Sequence, residues 1–257
     1  MSEPEKKPAE ERPGFFVKAS DAWSDLVLTL PIFILYHLGV VLLPVRNAAD
    51  VVTSELIALA DNNMVAYAGL TLLIGGVFVG VLVMLGRGKA LEWDRFALLA
   101  VESTIYAVAM RFVAGWVVGK LTLAGSPLGG GFTGAVMSAG AGLYEEIAFR
   151  VILFGLGLRV LSLMFPMIDP VRPRLLAVGW ALVAAAVFSG WHYVGAYGDP
   201  FELRSFVFRW TCGVVFTVIY RFRGFAPAVW THTLYDCLLY TSPSPRDPTR
   251  TRMPSSA

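Results

Sequence analysis

Charge is what this chain has least of. Asp, Glu, Lys and Arg make up 16% of its 257 residues, where a soluble domain carries about 25%. The formal charge is only +2, too small to argue for a nucleic-acid partner. Cysteine is scarce as well. Cys212 and Cys237 stand apart with no CxxC pairing, which argues against a disulfide framework or a zinc–thiolate site. No HExxH is present, so the motif that puts two zinc-binding histidines and a base on one helix face is missing. No basic start, short apolar stretch and small-residue cleavage site precedes Asp25, so no cleavable signal is expected. No long polar linker divides the chain, which favours one bundle over two domains.

What fills the space is apolar. The chain is 56% hydrophobic, and several runs reach or approach the ~20 residues that cross a ~30 Å hydrocarbon core as helix. The fold class expected is all-α, a polytopic transmembrane bundle of about seven spans: 26–43, 64–85, 96–123, 132–165, 175–194, 206–220 and 225–240. Residues 46–63 alternate apolar and polar positions at helical spacing and predict a short interfacial helix. Gly129, Gly130 and Gly131 form a loop before the fourth span, and Pro166, Pro170 and Pro173 end it.

Three domains of behaviour are expected: a polar tail over 1–20, the bundle over 21–240, and a disordered tail over 241–257. The last is rich in Pro, Ser and Arg, cannot build a core, and resembles translated sequencing read-through. Lys and Arg recur on alternate loops: Arg87, Lys89 and Arg95, then Arg159, Arg172 and Arg174, then Arg221 and Arg223. That bias puts the N-terminus in the cytoplasm.

Ionisable residues inside such spans are costly. One charge at mid-bilayer costs about 2.5–3.5 kcal/mol on insertion scales. Glu102 and Arg111 lie nine positions apart in the third span, about 13–14 Å of helix rise. They do not pair directly, so each needs a partner on another helix or at an interface. The fourth span holds Tyr144-Glu145-Glu146-Ile147-Ala148-Phe149-Arg150. Glu146 and Arg150 share a face at i,i+4, so Arg150 is expected to neutralise Glu146. Glu145 points elsewhere, toward other helices. There His192 at the end of the fifth span, or His232 and Asp236 in the last, could meet it. His37 lies alone in the first span with no partner motif.

A carboxylate facing two imidazoles and a second acid suits chemistry on water. The carboxylate acts as general base, a histidine orients water or protonates a leaving amine, and further donors hold an oxyanion. A bilayer offers no water of its own, so such chemistry needs a polar cavity.

EExxxR (Glu145, Glu146, Arg150), FxxxH (Phe188, His192) and HxxxN/D (His232, Asp236) follow one another on successive late spans. In that order they resemble the CAAX-protease and bacteriocin-processing (CPBP, or Abi) family, related to the Ras-converting CAAX endopeptidase. The resemblance covers about 100–237. It implies an intramembrane endopeptidase in which Glu145 activates water, His192 holds that water, and His232 with Asp236 supports the oxyanion or the water. Glu146 belongs to the same catalytic motif, with Arg150 and Phe188 in structural support. Asp236 stands where the CAAX-processing branch has Asn.

The resemblance implies no cofactor. A zinc-dependent metalloprotease with Glu145, His192, His232 and Asp236 as ligands is the nearest alternative. A non-catalytic scaffold or immunity protein and a proton-relay transporter are the others. The expected partners are a peptide or membrane-protein substrate and the lipid bilayer, in a bacterial plasma membrane.

Overall fold

The computed structural model describes residues 22–43, 45, 47–60, 63–87, 89, 92–119, 131–165, 172–195 and 198–241. The tails expected at both chain ends, Gly129, Gly130, Pro166, Pro170 and the last residues of the expected third span lie outside these. The described residues form eight helices and no strand. They are α1 (Ala22–Leu42), α2 (Val51–Leu59), α3 (Met64–Leu85), α4 (Asp94–Val117), α5 (Phe132–Met164), α6 (Arg172–Trp191), α7 (Leu203–Arg223) and α8 (Phe225–Thr241). Six of them, α1 and α3 to α7, are long and apolar enough to cross a membrane. The seventh expected crossing, α8, has 17 residues, at the short end of the range that spans hydrocarbon.

Side-chain exposure carries the membrane reading further than length does. On α3, Leu72, Leu73, Val77, Val81, Val83 and Leu85 are all exposed. A soluble monomer rarely exposes so large a contiguous apolar face, whereas lipid solvates it at no cost. The chain is an integral membrane protein.

Several element ends differ from the sequence expectation, each for a local reason. Helix α4 stops at Val117 rather than running toward residue 123. Gly119 follows at φ 68, the left-handed position that commonly closes a helix and that glycine takes without strain. Pro173 does not terminate the fourth span. It sits at the second position of α6, where the absent N–H is lost to no bond. Helix α7 extends past 206–220 at both ends, because Arg204, Arg221 and Arg223 are carried as helical residues. The interfacial helix shortens to Val51–Leu59, and Asn63 then caps α3, its Oδ1 accepting from the backbone N of Val65 and Ala66 at 2.9 and 3.2 Å.

The bundle is built around α5 and α8. Helix α5 packs on α1, α6 and α8, and α8 also packs on α1, α4 and α7. Two carboxylates tie this interior across helices. Glu102 of α4 accepts from Nε and Nη2 of Arg223 at 2.7 and 3.1 Å and from the Tyr106 hydroxyl at 2.7 Å. Its partner is thus on another helix, as the spacing required. Asp25 of α1 accepts from the backbone N of Phe225 at 3.1 Å and of Ala226 at 3.4 Å. A carboxylate from the first span therefore caps the N-terminus of the last, where the helix dipole favours negative charge. Arg111 differs: its buried Nη1 and Nη2 have no hydrogen-bond partner among the described residues.

Candidate active site

Helix α5 is not a uniform α-helix. Through Ala141–Glu145 and again through Ile147–Leu156 its backbone bonds run i→i+5. Such widened turns are rare and occur often at functional sites. More residues per turn means a smaller angle between neighbours. That is why Glu145 and Glu146, about 100° apart on an ideal helix, both face the interior. Glu146 is 0% exposed, Arg150 1%, His232 4% and Glu145 7%.

Close approach makes this possible. Gly142 lies where α8 crosses, and a Cβ there would come within 2.0 Å of Thr233 Oγ1 and 2.8 Å of the Val229 carbonyl oxygen. Any side chain at 142 would hold α8, and His232 with it, away from the two glutamates.

Glu146 has two charged neighbours. Its Oε2 lies 3.2 Å from Arg150 Nε, and its Oε1 accepts from His232 Nδ1 at 2.7 Å. The Arg150 guanidinium also stacks over Phe188 at 4.3 Å and Phe216 at 5.1 Å from the ring centroids. A desolvated contact of this kind contributes about 2 kcal/mol, which helps offset the burial of both charges.

With Nδ1 engaged by Glu146, His232 turns Nε2 toward the other two acids. Nε2 lies 3.9 Å from Glu145 Oε2 and 3.7 Å from Asp236 Oδ2. The ring is held flat against Phe216, centroids 4.3 Å apart and tilted by 22°. Glu145 Oε2 is buried and has no hydrogen-bond partner among the described residues.

His192 lies just past the end of α6. Its Nδ1 donates to the Phe188 carbonyl at 2.9 Å, which in the neutral ring leaves Nε2 as the acceptor. Phe188 stands between the two histidines, its centroid 5.1 Å from His192 and 6.0 Å from His232. His192 is close enough to feel the charges of Glu145 and Arg209. The structure thus gathers Glu145, Glu146, His232 and Asp236 in direct or near contact and sets His192 beside them across an aromatic ring. Among the described residues, no three His, Cys, Asp or Glu side chains are gathered closely enough to hold a metal ion.

One neighbour was not foreseen. Asn47, in the turn between α1 and α2, donates from Nδ2 to Glu145 Oε1 at 2.9 Å. Behind it, the Tyr36 hydroxyl accepts from the Asn47 backbone N at 3.0 Å and donates to Asp50 Oδ2 at 2.7 Å. His37 has a partner too: its Nε2 meets the Tyr144 hydroxyl at 3.0 Å. The available signal was two polar residues, Asn47 and Asp50, directly after an apolar span.

A helical membrane bundle with a buried cluster of acids and imidazoles defines the class. Residues 126–238 match one family model, described as Rce1-like: type II CAAX prenyl endopeptidase Rce1-like. The match takes in all three motifs, and this stretch, somewhat under half of the chain, is similar to that family. That likeness supports a CAAX-protease-like membrane endopeptidase at the level of the family alone. No curated protein and no solved structure matches the chain.

Proposed function

We propose that this protein hydrolyses a peptide bond within the membrane, using a water activated by Glu145. The observation that carries this reading is the buried Oε2 of Glu145, without a hydrogen-bond partner among the described residues and 3.9 Å from His232 Nε2, which in turn lies 3.7 Å from Asp236 Oδ2. In this reading Oε2 takes a proton from water as the hydroxide oxygen bonds to the scissile carbonyl carbon. The carbonyl oxygen becomes the oxyanion, stabilised by donors already in place. The C–N bond then breaks, and the proton passes to the leaving amine.

His192 Nε2 accepts a hydrogen bond from the water and so orients it. His232, fixed by Glu146, donates to the oxyanion when it is protonated, and so does Asp236 when it carries a proton. Glu146 and Arg150 position His232 and are not expected to touch substrate. The reading requires no metal. The substrate is a peptide or a membrane-protein segment that reaches the site from the bilayer. A bacterial plasma membrane is the proposed location, and the loop charge bias supports an N-terminus in the cytoplasm.

A cleavage assay on a peptide library in nanodiscs tests this, comparing wild type with Glu145→Gln and His192→Ala. Product from wild type alone is expected, and equal product from all three would overturn the assignment. Repeating the wild-type assay after exhaustive chelation separates it from the zinc reading, since activity lost to chelator and restored by zinc would favour the metal.

A further inference from the structure

We infer that Asn47 is a positioning residue for Glu145, so that the first helix and the turn after it complete the site. This rests on Glu145 being the general base. The turn lies outside residues 126–238, the stretch that carries the family's pattern.

The argument begins with the side-chain amide of Asn47. Its Oδ1 accepts from the Ala49 backbone N at 2.8 Å, closing a turn of a kind Asn favours. That bond decides which end of the amide is which: the oxygen is occupied, so the nitrogen faces Glu145. Nδ2 then donates to Oε1 at 2.9 Å. The turn itself is held from both sides. The Asp50 backbone N bonds the Asn47 carbonyl at 3.1 Å, and Tyr36 bridges the Asn47 backbone N to Asp50 Oδ2. Asn47, Asp50 and Tyr36 are all buried, and Tyr36 packs edge-on against Tyr144, the neighbour of Glu145, with centroids 5.5 Å apart.

The two oxygens of Glu145 are therefore unequal. Oε1 is held by a donor from another segment. Oε2 is buried, has no hydrogen-bond partner among the described residues, and lies 3.9 Å from His232 Nε2. A carboxylate on a flexible side chain would otherwise swing between rotamers, and a misplacement of about 1 Å can cost on the order of 10²-fold in rate. Asn47 removes that freedom and commits one oxygen to the water.

The decisive variant is Asn47→Asp. It keeps the shape and the Oδ1 acceptor for Ala49, and it exchanges the donor facing Glu145 for a second carboxylate oxygen, whereas Asn47→Ala removes the donor without adding charge. Asn47→Ala serves as a second variant, with Tyr36→Phe to loosen the anchor behind. The expected result for Asn47→Asp is a kcat lower by on the order of 10²-fold, with KM about unchanged and an undiminished folded fraction. Infrared spectroscopy gives a readout that does not need turnover. The carboxylate stretch that disappears in Glu145→Gln should move in Asn47→Asp and in Asn47→Ala. An unmoved band would overturn the inference, as would activity that falls only in step with the folded fraction. A wild type that cleaves no peptide would sink the endopeptidase reading alone, because the band shift still decides whether Asn47 holds Glu145.

Discussion

Arg150 shows how a single buried residue organises the site without being a candidate for the chemistry. Its guanidinium meets Glu146, lies over two phenylalanine rings, and through Glu146 sets the orientation of His232. Removing it leaves Glu146 buried without its arginine partner. Arg150→Met is expected to destabilise the protein by about 3–5 kcal/mol, read as a loss in denaturant midpoint in detergent. Glu145→Gln should behave in the opposite way. The amide oxygen of Gln can still accept from Asn47, so the fold should hold while activity falls by about 10²–10⁴-fold. Thermal unfolding and peptide cleavage, measured on the same preparations, separate the two outcomes. At this scale the sequence was informative: the i,i+4 spacing gave the pairing of Glu146 with Arg150 before any coordinate. The sequence did not reveal that Glu146 also holds His232, since that contact spans 86 positions.

Helix α5 is where local pattern and observed geometry part. Ideal helical spacing put Glu145 and Glu146 on different faces, yet widened turns bring both inward. Period alone cannot reveal such turns, because their cost is repaid by packing from α1 and α8 rather than by α5 itself. Gly142 is the test position. Gly142→Val should push α8 outward, costing about 1–3 kcal/mol through overpacking. It should abolish cleavage before it abolishes folding, as His232 leaves Glu146. At the other end of α8, Asp25→Ala should cost about 0.5–2 kcal/mol, the usual range for a lost cap. Its effect on KM should be small, because Asp25 is far from the acids along α8. A circular-dichroism melt with steady-state kinetics checks both variants.

Across the whole molecule the lipid-facing surface and the buried polar interior are two sides of one arrangement. Apolar faces such as that of α3 meet the bilayer, which frees the charges to gather inside, where each needs a partner. The protein should remain in the membrane pellet after alkaline carbonate extraction and enter solution only with detergent. Reagent labelling of cysteines placed at Arg87 and Arg204 in intact cells would check the orientation. Protection at 87 with labelling at 204 is expected for a cytoplasmic N-terminus, and the reverse pattern would invert it.

Composition and hydropathy determined the class and nearly all the crossings, and residue order along the late spans gave three motifs by their resemblance to a known family. They could do so because lipid forces every span to be continuous, apolar helix, and because a charge kept inside one stands out against it. Only the tertiary structure decided which atoms meet: that α5 widens, that Glu146 grips His232, and that Asn47, 98 positions away, reaches Glu145. Those contacts depend on how separate helices dock, and docking follows from shape and mutual burial that no local period records.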